Sequence, residues 1–224
     1  MDRFYGQFVQ PGDIVFDIGA HVGDRVAAFR RLRARVVAVE PQPALVWTLK
    51  LLYGRDRAVV IEPVAVGREA GTAAFSLNLD NPTVSTASEP FRSAADGAPG
   101  WEGQAWTTAI EVPVTTLDTL VLRHGAAAFI KIDVEGSEAD ALAGLTCPSP
   151  TLSFEFTTLQ PGVAATCIDR CAELGYTRYN AALGESLTWV HDDWMSAEAI
   201  AAWLCALPQN VNSGDIYARL PARS

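Results

Sequence analysis

Apolar residues in this chain fall into short continuous runs separated by longer stretches in which they recur every three or four positions. Runs of four to eight apolar residues bounded by Gly, Pro or Asp read as buried strands, and the longer spacing reads as amphipathic helices. Strands are expected at 13–18, 35–40, 58–65, 127–133, 151–156, 175–180 and 214–220, and helices at 23–33, 42–53, 116–124, 136–144, 162–174 and 196–206. Such alternation predicts an α/β fold, a mostly parallel sheet with helices on both faces. Pro11-Gly12 turns the chain into the first strand, and Pro41 and Pro43 follow the second where a helix must begin.

The alternation breaks over 66–115. In GTAAFSLNL, Ala73, Phe75, Leu77 and Leu79 share a face, and in AIEVPV so do Ile110, Val112 and Val114. These positions predict two antiparallel strands, a small insertion around 71–114 flanking the main sheet. Between them 80–107 is rich in Pro, Gly and Ser yet carries Phe91, Trp101 and Trp106. Solvated linkers seldom carry aromatics, so this segment reads as an active-site lid in preference to a disordered connector.

Composition narrows the possibilities. With 224 residues, 49% hydrophobic and 19% charged, the chain suits one globular domain over 1–224. A net charge of −9 repels a phosphate backbone, so no nucleic-acid partner is expected. The cluster Arg25, Arg30, Arg31, Arg33 and Arg35 then reads as a solvated helix face. Neither a basic segment leading into an apolar one at the start nor an eighteen-residue apolar stretch occurs, which predicts a cytoplasmic protein without a membrane partner. Cys147, Cys167, Cys171 and Cys205 lack CxxC spacing; Cys167 and Cys171 lie one helical turn apart and read as core thiols, not metal ligands. The oligomeric state is left open.

Candidate chemistry lies at strand ends. Three apolar runs close on an acid: Asp17 in VFDIGAHVG, Glu40 in VVAVEP and Asp133 in FIKID. In an open α/β sheet ligands sit beyond the carboxyl ends of the strands, so the three acids converge on a ligand cleft. Gly19 permits a sharp turn and Gly23 a close helix entry, while the two oxygens of Glu40 suit a ribose diol. A dinucleotide pyrophosphate favours GxGxxG with no carboxylate against it. Here the spacing is DxGxxxG, and Asp17 suits a ligand bearing a cationic amine, as in the methionyl part of S-adenosylmethionine. Asp17 could instead anchor the turn by accepting backbone N–H groups. A nicotinamide-dependent oxidoreductase would share the Glu40 role, and a non-catalytic nucleotide-binding module would share the whole turn.

VFDIGAHVG, VVAVEPQP, AVAVG, VTTLDTL and above all FIKIDVEGSEADALAGL resemble the FkbM-type S-adenosylmethionine-dependent methyltransferases, from about Pro11 to the closing GDIYARL. The resemblance implies a Rossmann-like class I methyltransferase sheet of seven strands, the last antiparallel. It also implies S-adenosylmethionine along Asp17, Gly19, Ala20, His21 and Gly23, with the ribose on Glu40 beside Pro41 and the adenine near Ala65. The family commonly has Asn at the position of His21, so what carries over there is backbone contact. Its members mostly O-methylate hydroxyls of sugars and natural products, which makes a small-molecule or glycosidic hydroxyl the expected acceptor.

A hydroxyl acceptor must lose its proton near the time of attack. Asp133 and Glu135 in KIDVEG and Glu155 in SFEF stand at strand ends where a base is needed. Lys131 leaves its strand on the same face as Asp133, which suits either a structural ion pair or a part in proton transfer. The same carboxylates could hold Mg²⁺, a less favoured reading. His191 in WVHDDWM is a further base candidate, although Trp189 and Trp194 beside it suit a packed histidine.

Overall fold

The structure, a computed structural model, describes residues 1–221. Its elements in chain order are α1 (Asp2–Tyr5), β1 (Ile14–Ile18), α2 (Asp24–Arg31), β2 (Arg35–Val39), α3 (Pro43–Tyr53), β3 (Val59–Glu62), β4 (Ala65–Val66) and β5 (Gly71–Leu77). They continue with α4 (Glu89–Ala95), β6 (Thr108–Thr115), α5 (Leu117–His124), β7 (Phe129–Ile132), α6 (Glu138–Ala143), β8 (Thr151–Thr157), α7 (Pro161–Glu173), β9 (Arg178–Leu183), α8 (Ala197–Cys205) and β10 (Ser213–Arg219).

A seven-stranded sheet runs in the order β3-β2-β1-β7-β8-β10-β9. The pairs from β3 through β8 are parallel, and β10 is antiparallel to both β8 and β9. This is the seven-stranded sheet that the resemblance implies, its antiparallel last strand slotted between the fifth and sixth. Strand order reverses between β1 and β7, so the cleft beyond their carboxyl ends is the place for a ligand. Alternation along each strand sorts the core. Phe16, Ile18, Val37, Val39, Ile130 and Ile132 pack with Leu120, Leu142 and Ile168 from α5, α6 and α7. Val15, Val36, Ala38 and Phe129 pack with Tyr5, Val26, Phe29 and Leu49 from α1, α2 and α3. Cys167 and Cys171 are buried free thiols of α7, as their spacing predicts.

Most boundaries fall within two residues of expectation, and two strands differ by three. The run 58–65 ends as a main-sheet strand at Glu62, because Pro63 has no N–H to continue the ladder. Ala65 and Val66 cross instead to a second sheet, β4-β6-β5, where β5 and β6 form the expected antiparallel pair. The sixth strand begins at Arg178 and not at 175, since Gly175 at φ +93° and the Tyr176 N–H still close the end of α7.

Segment 80–107 folds on itself. A 3-10 turn at Pro82–Val84 and the helix α4, capped by Ser88, enclose a small cluster of Val84, Phe91, Ala95 and Trp101. The Trp106 indole N–H donates to the Val84 carbonyl at 2.8 Å, and the Gln42 side-chain amide donates to Pro82 at 3.1 Å. Thr83, Ser85 and Ala87 then wall the cleft. The aromatics there hold this segment together, which explains their presence in an otherwise loop-like composition.

Candidate functional site

A cavity of about 520 Å³ opens at the carboxyl ends of β1, β2 and β7. The turn after β1 shapes its floor. Gly19, at φ +84°, and Ala20 donate their N–H groups to the Val39 carbonyl at 2.9 and 3.0 Å. His21 adopts φ +49°, a left-handed conformation that Asn, Asp and His enter more readily than other side chains. That preference suits His to this position, where the turn needs the left-handed backbone shape. The His21 N–H donates to Glu40 Oε2 at 3.0 Å, and the Gln42 N–H to Glu40 Oε1 at 2.9 Å. Glu40 thus staples both strand-end turns, and each oxygen keeps a second lone pair for a hydroxyl.

Among the described residues Asp17 makes no side-chain hydrogen bond that would anchor the turn; Glu40 does that instead. Asp17 is 2% exposed, and its Oδ2 is buried without a partner. Burial pushes its carboxyl up to about 7, against the pull of Lys131 and Arg25. Burial also raises Glu40 to about 7, against the backbone N–H groups of Gln42 and His21. A carboxyl raised on folding gives stability that is full below its unfolded value near 4 and is lost as pH climbs through the folded value. The ligand-free protein is therefore expected to melt at lower temperature as pH rises from 5 to 8, and Asp17→Asn should lessen that slope, leaving the part due to Glu40. Calorimetry across this range checks it, and a slope unchanged in the variant would count against a buried, proton-holding Asp17.

A second group lies beside the first. Asp17 pairs with Lys131 across β1 and β7, so both leave the sheet on one face. The Lys131 ammonium, 2% exposed, donates to Asp133 at 2.7 Å and reaches Asp215 at 3.5 Å. Burial alone would lower Lys131, but Asp133 and Asp215 hold it well above its usual value. Burial likewise opposes ionisation of Asp133, and Lys131 outweighs it, keeping that carboxyl below the ordinary range. Burial, with Asp133 next, pushes both Glu135 and Glu155 well up. Carboxylate oxygens of Asp133, Glu135 and Glu155 lie within 4.8 Å of one another, an oxygen-only set of the kind that suits Mg²⁺. The turn carrying Glu135, at φ +52°, is fixed by Glu138, which accepts N–H groups from Val134 and Gly136. The Glu135 carbonyl accepts the Thr86 hydroxyl at 2.6 Å, tying segment 80–107 to the acid cluster.

The methyltransferase FkbM domain family matches residues 17–205, the stretch from Asp17 to the end of α8. The chain belongs to the FkbM methyltransferase family. One curated relative, the 31-O-demethyl-FK506 methyltransferase FkbM of Streptomyces tacrolimicus, is 31% identical over 169 residues, 64% of this chain. The match spans 65% of that relative's length. Among solved structures, a precorrin-6y C5,15-methyltransferase from Geobacter metallireducens has a TM-score of 0.46 at 12% identity, over 98% of this chain and 86% of its own. A TehB-like SAM-dependent methyltransferase from Corynebacterium glutamicum has a TM-score of 0.47 at 12% identity, with the same coverage.

In this FkbM-family chain, Gly19, Ala20, His21, Glu40, Pro41 and Ala65 all line the cleft with Asp17, Lys131, Asp133 and Glu135. Gly23 caps α2 behind it, at φ +90° against Tyr53, whose hydroxyl donates to the Gly23 carbonyl at 2.8 Å. Glu155 stands one strand further on, beside Asp133. His191 is elsewhere: its ring packs edge-to-face on Trp203 of α8, and Asn180 pairs with its backbone. Trp189 packs on Phe4, Tyr217 and Trp194 near α1, and Trp101 meets Phe91 edge-to-face, so none of them lines the cleft. Three site residues escape sequence reasoning. Glu138 is hidden as a first-turn helix acid, Asp215 is signalled only as a lone charge in an apolar strand, and Arg25 is assigned there to a solvated face.

Proposed function

We propose that this protein is an S-adenosylmethionine-dependent O-methyltransferase acting on a hydroxyl of a sugar or other small natural product, as one domain with 80–107 as its lid. The observation that carries the reading is the pair of acids at the floor of the cleft: Asp17, buried with an unpaired oxygen, and Glu40, with a free lone pair on each oxygen. An ammonium satisfies the first and a ribose diol the second, and a pyrophosphate against the turn would be repelled by Asp17. When bound, S-adenosylmethionine supplies a methyl group on a positively charged sulfur, electrophilic enough for direct displacement. The name of the Streptomyces relative, a methyltransferase for a 31-O-demethyl compound, supports a hydroxyl acceptor.

The chain's own residues then divide the work. Asp17 and Glu40 orient, and Thr83, Ser85 and Ala87 of the cover exclude water, so much of the acceleration comes from placement. Lys131 keeps Asp133 ionised, while Glu135 retains proton affinity well above an ordinary glutamate, as a base for a hydroxyl requires. The oxygen cluster of Asp133, Glu135 and Glu155 supports a second reading, in which a divalent cation there orients the acceptor. The Lys131 ammonium 2.7 Å from Asp133 already supplies a positive charge, which favours the metal-free base. Thermal-shift titration should show stabilisation by S-adenosylhomocysteine and none by NADH, about 2.7 kcal/mol at a hundredfold excess over Kd. A screen of hydroxyl acceptors should give turnover that survives exhaustive EDTA. Stabilisation by NADH alone would overturn the reading, and loss of turnover restored by Mg²⁺ would replace the base with the cation.

A further inference from the structure

Arg25 sits in the first turn of α2, two residues beyond Gly23. Unlike Arg31, which meets Asp2 at the surface, its side chain is only 16% exposed and lines the cleft. One terminal nitrogen donates to Glu185, on the turn after β9, whose side chain is 71% exposed. The Nε–H is buried and finds no acceptor. An orphaned buried donor is costly, and two orphans of opposite charge in one cleft, Arg25 Nε and Asp17 Oδ2, mark a site built for a ligand carrying both counter-charges.

We infer that Arg25 and Asp17 together form a receptor for a zwitterionic α-amino acid group, Arg25 taking the carboxylate and Asp17 the ammonium. The inference rests on the proposed S-adenosylmethionine reading and assigns the polar end of that ligand. Of the basic side chains lining the cleft, Lys131 is already held by Asp133 and Asp215, and burial pushes the His21 imidazole toward its neutral form. Among the described residues that line it, Arg25 is the basic side chain left with an unpaired buried donor. Arg25 shares the wall of the cleft with Asp17 and Asp133, at the β1 and β7 end, and its charge pulls against the burial that raises Asp17. Glu185 serves as a latch: its exposed pairing with Arg25 is weak enough to be shared with an incoming carboxylate, and it holds the guanidinium in place beforehand.

Calorimetric titration separates the roles with two ligands: S-adenosylhomocysteine, and its decarboxylated analogue, which keeps the amine. The native protein should prefer the intact ligand by about 10- to 100-fold, the worth of a charge-assisted hydrogen-bonded pair. Arg25→Gln should lose most of that preference while binding the decarboxylated analogue as the native protein does, and Arg25→Lys should keep part of it. Asp17→Asn should weaken both ligands, since both carry the ammonium. An undiminished preference in Arg25→Gln, or an equal loss for both ligands in Arg25→Gln and Arg25→Lys, would overturn the role of Arg25. A native protein that binds neither ligand overturns the S-adenosylmethionine reading itself.

Discussion

Gly19→Ala is expected to abolish ligand binding and to destabilise the protein by on the order of 3–5 kcal/mol. A Cβ at this position would lie 1.8 Å from the Asp133 carbonyl oxygen, and the backbone there is at φ +84°. The obstacle is main chain on both sides. Asp133 donates its N–H to the Ile18 carbonyl at 2.9 Å, while Gly19 donates to Val39, so neither strand end can retreat without breaking its ladder. Gly12→Ala is the control. It too has a left-handed φ, +92°, but nothing lies within 4 Å of the place its methyl would take, so it should cost only the conformational strain of about 1–2 kcal/mol. Chemical denaturation and S-adenosylhomocysteine titration of both variants distinguish clash from strain. Equal, small losses in the two would mean that β1 and β7 do not meet as closely as this turn requires.

The same close approach explains what was legible in the sequence. Strands buried on both faces must be apolar, so an acid at the end of such a run stands out, and Asp17, Glu40 and Asp133 could be read as a converging set. What those acids bond to depends on the turns between them. Glu40 and not Asp17 accepts the turn N–H groups, because the backbone at His21 and Gln42 folds toward the second strand, a fact of tertiary placement. Arg25 shows the limit for helices. The run of arginines from Arg25 to Arg35 suggests a solvated face, yet only a helix's entry angle decides which of its first-turn residues looks into a cleft. The insertion was legible as strands from the period of two in β5 and β6. Its loop was not, since the cluster around Phe91 and Trp101 joins distant residues of a segment without periodicity.

Glu135→Gln is expected to reduce kcat by about 10²- to 10⁴-fold under the proposed activity while leaving S-adenosylhomocysteine affinity within about twofold, the range general-base catalysis supplies. Glu135 is 8% exposed and faces the cleft, on a left-handed residue that Glu138 and Thr86 hold in place through backbone bonds. Those anchors bind the main chain and not the carboxyl, so the amide should fit without disturbing the turn. Burial raises the carboxyl, with Asp133 and Glu138 adding to it, so turnover by the native enzyme should rise with pH along a limb displaced above the ordinary glutamate range. That limb should vanish in Glu135→Gln, a result that a merely structural Glu135 would not produce. Asp133→Asn makes the contrast. Removing its charge leaves the buried Lys131 with Asp215 alone, at 3.5 Å, so stability should fall by about 3–5 kcal/mol along with activity. Loss of turnover in both variants, with loss of stability in Asp133→Asn alone, assigns proton transfer to Glu135 and positioning to the Lys131–Asp133 pair. Native kcat and pH profile in Glu135→Gln would move the base to Glu155, whose raised carboxyl lies across the same cluster.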